Sequence, residues 1–211
     1  MKGIFITIEG PDGAGKTSVI KQLLPMLGET IQQEIVATRE PGGSRIAEEI
    51  RELILNPKNT EMDARTEALL YAAGRRQHLV EKILPALEAE KLVICDRFVD
   101  SSLAYQGAAR GLGVHEVAEI NQFATDNLSP DRTHYLDIEA HLGLERINQN
   151  KKTRQFDRLD QETLEFHEKV RSAYLEIAKN HVERIVQIDA SQELGTVVEQ
   201  CYQTIIKRLK K

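Results

Sequence analysis

Residues 10–17, Gly-Pro-Asp-Gly-Ala-Gly-Lys-Thr, spell G-x-x-x-x-G-K-[ST] between an apolar run at 3–9 (GIFITIE) and an amphipathic stretch at 16–27. The spelling has a physical basis. Glycines at 10, 13 and 15 let successive backbone N–H groups curl around phosphate oxygens, where a Cβ would block the turn. The helix that follows presents its first amides to the same anion. Lys16 places a point charge on the β- and γ-phosphates, and Thr17 offers a hydroxyl to Mg²⁺. A strand, a glycine loop and a helix in that order call for a parallel α/β sheet.

The rest of the chain agrees. Short β-rich runs at 34–38 (EIVAT), 91–95 (KLVIC), 133–137 (THYLD) and 184–188 (RIVQI) alternate with helical patterns. The helical patterns fall at 45–55, 62–88, 101–108, 115–126, 139–150, 160–180 and 192–209. Strands alternating with helices give a parallel sheet covered on both faces. Gly28 is placed to end the first helix, and Pro85 is expected to kink or shorten the long one.

At 211 residues the chain suits one domain that builds its core without staples. Its 28 Lys plus Arg against 33 Asp plus Glu leave a net charge of -5, which argues against nucleic acid or an anionic membrane as a partner. Any phosphate site must therefore be local. Cys95 and Cys201 cannot make a disulfide framework or a thiolate zinc site, and read as small buried residues. No apolar run approaches the ~20 residues of a membrane span. The expectation is a soluble, cytoplasmic protein.

A phosphate loop does not name a reaction. A GTPase would need N-K-x-D after a strand, and the chain has none. A small-molecule kinase needs several cations to bind an acceptor and neutralise charge during transfer. Open α/β sheets bind ligands at the carboxyl ends of their strands. Arg39 follows the second strand there, and Asp96-Arg97 follows the third. A strand-terminal Asp can hold Mg²⁺ or its waters, and an adjacent Arg can grip a second phosphate in a bidentate way. In the long helix, Leu69, Ala73, Val80, Leu84 and Leu87 form one stripe at about 100° per residue. That stripe is expected to be the buried back. Tyr71, Arg75 and His78 lie opposite, a front able to cover a base or simply to snorkel at the surface. The polar, basic stretch 148–158 (NQNKKTRQFDR) reads by composition as a solvated connector.

Taken together, FITIEGPDGAGKTS at 5–18, TREPGG at 38–43, EALLYAAGRRQHL at 67–79, CDRFVDSSLAYQGAARG at 95–111 and RLDQE at 158–162 resemble the thymidylate kinases, of the bacterial kind, over nearly the whole chain. The resemblance implies a doubly wound P-loop NTPase-type fold on a five-stranded parallel sheet, spanning 1–211 as a single kinase domain and assembled as a homodimer. It implies transfer from ATP, with Mg²⁺, to dTMP, a step toward dTTP for DNA. The ATP set is then Gly10, Gly13, Ala14, Gly15, Lys16, Thr17 and Ser18, with Arg146 stacking on adenine and 189–192 lining it. Thr17 and Asp96 would serve the metal. Asp12 matches the carboxylate facing the acceptor 3′-hydroxyl, and Arg97 and Arg39 match the acceptor-phosphate arginines. Glu40 and Arg51 lie in the acceptor segment, within an acceptor region of about 39–110. Tyr71 matches the ring stacked on thymine. Arg75 matches the reader of O4, Ser102 and Gln106 match polar contacts to the base, and Tyr105 matches the ring crowding the sugar 2′ position. The usual D-R-[YH] reads Asp96-Arg97-Phe98, which loses a hydroxyl. No cation precedes Lys16 in the loop. Lys151, Lys152, Arg154 and Arg158 instead resemble a basic lid over 148–158, with Arg154 or Arg158 as an internal arginine finger. Two other readings stay open: a P-loop kinase for UMP, CMP or dGMP, and a nucleotide-dependent switch without transfer chemistry.

Overall fold

The computed structural model describes residues 3–149 and 158–209. Among them, β1 (Ile4–Glu9), β2 (Ile35–Arg39), β3 (Leu92–Asp96), β4 (Arg132–Asp137) and β5 (Ile185–Asp189) form one sheet in the order β2-β3-β1-β4-β5. Every pairing is parallel. The strands are buried on both faces, so they read as apolar runs rather than as alternation. Ile6 and Ile8 of β1 face α1 (Lys16–Thr30) and α9 (Leu194–Leu209), packing with Leu23, Leu27, Val198 and Ile205. Phe5 faces the other way, with Val93, Leu79, Ile83 and Phe98. A third cluster joins Tyr135 and Ile185 to Phe166, Val170 and Tyr174 of α8 (Leu164–Asn180). Each fully buried side chain of this size contributes about 1.5–3 kcal/mol.

The connection leaving β1 runs toward β2, and the one leaving β3 runs toward β4, on opposite sides of the sheet. Their carboxyl ends therefore flank a crevice. Register brings Ile8, Asp96 and Arg39 level across β1, β3 and β2, so the chemistry-bearing residues leave the sheet at one height.

Three local expectations change. Helix α1 passes through Gly28 and ends at Thr30, because fully buried Leu27 holds the last turn in place and its carbonyl accepts from Ile31 N at 2.9 Å. Around Pro85 the chain stays helical. Helix α3 (Ala64–His78) widens into a π turn at Leu79–Ile83 and continues as α4 (Leu84–Glu88). The wider turn accommodates the missing proline N–H. The stripe along α3 is the larger correction. Leu69, Ala73 and Val80 are exposed, and the buried face carries Glu67, Ala68, Ala72, Gly74, Arg75 and His78. Counting apolar residues picks the wrong face here because the inner charges are neutralised by pairing. The π turn also shifts the helical phase between Val80 and Leu87.

The remaining helices are α2 (Arg45–Leu55), α5 (Val99–Ser102) continuing as a π segment at Leu103–Ala109, α6 (Val114–Thr125) and α7 (Ala140–Gln149). No helix among the described residues is long and apolar enough to cross a membrane.

Candidate active site

A cleft of about 570 Å³ opens over the carboxyl ends of β1, β2 and β3. One wall is the loop 12–17 with Ser18. Gly13 and Gly15 hold φ of +79° and +85°, and a Cβ on Gly13 would meet the Gly143 carbonyl oxygen of α7 at 2.1 Å. The loop is thus seated against α7 at a position only glycine fits. Gly10 sits beneath, with φ +146° against the Leu136 carbonyl, and does not line the cleft. Lys16 is 7% exposed, and its ammonium donates to the carbonyls of Gly10 at 2.9 Å and Pro11 at 3.0 Å. Burial, with the nearby Arg97 charge adding to it, pulls Lys16 down to about 8 against Asp96, Asp12 and Glu9. The amine is still mostly charged at neutral pH, and an arriving polyphosphate would hold it so. The Thr17 hydroxyl donates to Asp96 Oδ2 at 3.0 Å. A hydroxyl and a carboxylate, both hard oxygen ligands, are the donor set that suits Mg²⁺.

The facing wall is built on Arg97. This residue holds φ +69°, unusual for a side chain of this size. Its guanidinium donates to Gly10 O at 3.0 Å, Ser101 Oγ at 3.2 Å and Asp12 Oδ1 at 2.7 Å, and lies 5.1 Å from the Tyr105 ring centre. Tyr105 Oη donates to Asp12 Oδ2 at 2.8 Å. Glu9, fully buried, accepts from Phe98 N at 2.6 Å, Ser101 Oγ at 2.5 Å and Tyr174 Oη at 2.8 Å. It thereby pins both sides of the strained turn. Burial, with Asp100 adding, pushes its carboxyl up from the usual range.

Toward the end of the cleft lined by Glu40, Tyr71 and Gln106, Arg75 is 2% exposed and crosses four segments. It donates to Glu40 Oε2 at 2.6 Å, Ser102 Oγ at 3.1 Å, Phe98 O at 3.0 Å and Asn121 Oδ1. Glu40 also pairs with His78 Nδ1 at 3.1 Å. Arg39 is half exposed and donates to Glu48 at 2.9 Å, and Arg51 donates to Pro41 O at 2.9 Å. Tyr71 and Gln106 complete this end. At the other end Arg146 donates to Ala190 O at 2.9 Å, beside Gln192. The Phe98 ring packs edge-on to Phe5 at 5.0 Å inside the core, so the position of the lost hydroxyl faces packing rather than the cleft.

The cleft therefore gathers Asp12, Gly13, Ala14, Gly15, Lys16, Thr17, Ser18, Arg39, Glu40, Arg51, Tyr71, Arg75, Asp96, Arg97, Ser102, Tyr105, Gln106 and Arg146. Arg158 departs from expectation. It is buried, donates to Ile54 O at 3.0 Å and pairs with Glu67, and does not line the cleft, because the Glu67 carboxylate captures its guanidinium. Lys151, Lys152 and Arg154 lie outside the described residues. Sequence reasoning passed over Glu9, Glu67, Ser101, Asn121 and Tyr174. The available signals were an acidic residue closing an apolar strand at 9 and another at 67 opening a matched segment.

Comparison with known proteins identifies the family. The family model described as thymidylate kinase matches residues 8–201. The thymidylate kinase of Enterococcus faecalis (strain ATCC 700802 / V583) is 62% identical over 208 residues, covering 99% of this chain and 98% of the relative. That of Latilactobacillus sakei subsp. sakei (strain 23K) is 62% identical over 205 residues, covering 97% and 95%. Among solved structures, the thymidylate kinase of Ehrlichia chaffeensis superposes with a TM-score of 0.78 at 31% identity, covering 97% of this chain and 99% of that one. A phosphate loop and an arginine-lined end sharing one cleft, a family model matched over residues 8–201 and relatives matched almost end to end make this chain a member of the thymidylate kinase family.

Proposed function

We propose that the chain transfers the γ-phosphoryl group of ATP to the phosphate of dTMP, giving dTDP. The observation that carries this reading is the cleft itself: Lys16 and Thr17 on one wall and Arg97 on the other, with Asp12 between them. Donor and acceptor are both anions, so their repulsion is the first barrier. Lys16, Arg97 and Arg39 offset it and stabilise charge on the transferring group. Thr17 and Asp96 would hold Mg²⁺, which when bound neutralises charge on the β- and γ-oxygens. No general base is required, because a monoester phosphate with a second pKa near ~6 is largely dianionic at neutral pH. Arg158 is committed to Glu67, so of the two arginines expected to reach the phosphoryl group, Arg154 is the one we assign. The second barrier is water, and exclusion of solvent by the segment 148–158 would protect the transfer.

Base choice follows from Arg75 and Gln106, which offer hydrogen bonds to the base edge, with Tyr71 supplying a stacking face. The thymine methyl adds only ~1–3 kcal/mol. ADP release is therefore expected to depend strictly on an acceptor. dTMP should be best, dUMP about 10–200-fold poorer, and dCMP, dGMP and UMP poorer still. ADP formed without acceptor would favour the switch reading. Equal turnover of dGMP or UMP would favour another monophosphate kinase.

The chain is also proposed to pair as a homodimer. Leu69 of α3 and Val80 of the π turn after it are 56% and 39% exposed, and Phe123 of α6, which packs beside α3, is 90% exposed; exposed apolar side chains of this kind suit cover by a second copy. A light-scattering mass of two chains checks this.

A further inference from the structure

We propose that Glu67 sets which way the Gln106 amide faces, and thereby which base edge the acceptor end of the cleft accepts; this rests on the reading of the cleft just given. Glu67 lies in the first turns of α3 and is 1% exposed. It does not line the cleft. Its carboxylate accepts from Gln106 Nε2 at 2.8 Å, from Arg110 Nε and Nη2 at 3.3 and 3.2 Å, and from Arg158 Nη2. Burial alone would raise this carboxyl. The hydrogen bond from Arg158, the Arg110 charge and the bond from Gln106 outweigh that and hold it below the usual range. The group is therefore ionised, and an ionised carboxylate only accepts.

That fact decides the amide. The two ends of a glutamine side chain have the same shape and opposite hydrogen-bonding character, so the partner at one end fixes what the other end presents. Glu67 can take only the NH₂ end. Gln106 lines the cleft, and its amide oxygen accepts from no described group. The end left for the cleft is then an acceptor, while Arg75, which lines the same cleft and keeps one Nη2 N–H beyond its bond to Phe98 O, can offer a donor. A pyrimidine with a ring N–H next to a carbonyl matches that pair, acceptor to donor and donor to acceptor. A pyrimidine with an unprotonated ring nitrogen next to an amine meets acceptor against acceptor and donor against donor. Such a mismatch leaves buried polar groups unpaired, the condition under which binding sites discriminate most strongly. Glu67 acts only through Gln106, so it is a positioning residue. Arg110 and Arg158 keep it charged.

The test compares kcat/KM for dTMP and dCMP, at saturating ATP, in the full-length protein and two variants. In Glu67→Gln the new amide can donate or accept, so Gln106 is released to turn over. The dTMP-to-dCMP preference should fall at least tenfold, with activity on dCMP rising in absolute terms. Glu67→Asp keeps the charge and the arginine pairs but draws the carboxylate back by one methylene. It should shift the ratio in the same direction by less, and it decides the matter if Glu67→Gln does not fold. Arg110→Gln leaves the Glu67–Gln106 bond in place together with the Arg158 pair, which contributes most to keeping Glu67 ionised, so it should lower the melting temperature without moving the ratio. A purely structural role for Glu67 lowers both activities together, and an unchanged ratio in the folded Glu67 variants overturns the inference. If the unaltered protein already uses dCMP as well as dTMP, the reading of the cleft itself is wrong, which is a separate and recognisable failure.

Discussion

Replacing Arg97 by Ala is expected to lower kcat/KM for dTMP on the order of a thousandfold, while ATP binding changes little. The guanidinium is placed to meet the acceptor phosphate and the charge that develops on transfer. Removing one well-placed donor of this kind costs about 2.7–4 kcal/mol in other enzymes. Here one group does three things: it bridges the loop carbonyl of Gly10, it holds Asp12, and it stacks near Tyr105. Lysine cannot reproduce a planar fork with several donors, so Arg97→Lys should recover only a small part of the loss. The φ of +69° complicates Ala, which inherits the backbone strain. Arg97→Gly relieves that strain, so an equal kinetic loss in both variants assigns the effect to the guanidinium. Steady-state kinetics in each substrate, alongside ATP binding by calorimetry, check this. A variant that keeps kcat/KM for dTMP within tenfold would remove Arg97 from the reacting centre.

The second large effect is Gly13→Arg, expected to reduce turnover at least a hundredfold and to weaken ATP binding. Charge alone argues the other way, since a new cation beside the phosphates should help the reaction. Sterics decide it. The backbone at 13 sits at φ +79°, and a Cβ there would lie 2.1 Å from the Gly143 carbonyl oxygen and 2.6 Å from its Cα. These are main-chain atoms of α7, which cannot swing aside as a side-chain tip would. Either the loop leaves its phosphate-binding curve or α7 shifts, and both disturb the cleft. Gly13→Ala, with no charge, should show most of the same loss. If Gly13→Arg instead raises kcat, the packing of the loop on α7 is not what keeps this position glycine.

The loop, the strands and the strand-end residues were readable because each is written in contiguous sequence. All five strands fall within a residue or two of the apolar runs, and the loop glycines carry the positive φ values that their spelling calls for. The supports of the site were not readable, because they are pairs between distant elements. Tyr174 meets Glu9 across 165 positions, and Gln106 meets Glu67 across 39. The buried face of α3 misled for a related reason. Arg75 and His78 count as surface residues in any hydropathy pattern, yet Glu40 neutralises one and hydrogen-bonds the other inside the protein. Arg158 sits in a basic run and reads there as a lid cation, and only its partner Glu67 shows where its charge is used. The π segment Leu103–Ala109, which turns Tyr105 and Gln106 toward the cleft, has no counterpart in a simple 3.6-residue period.

Two nucleotides are expected to meet end to end in one cleft, with cations supplied from both walls. Calorimetric titration of a single molecule, deoxythymidine joined 5′ to 5′ to adenosine through a polyphosphate chain, tests this most directly. The expected result is one molecule bound per chain, at least tenfold tighter than ATP or dTMP alone, and weakened by Lys16→Met and by Arg97→Ala alike. Binding no tighter than the better single nucleotide, or binding indifferent to either substitution, would contradict the claim.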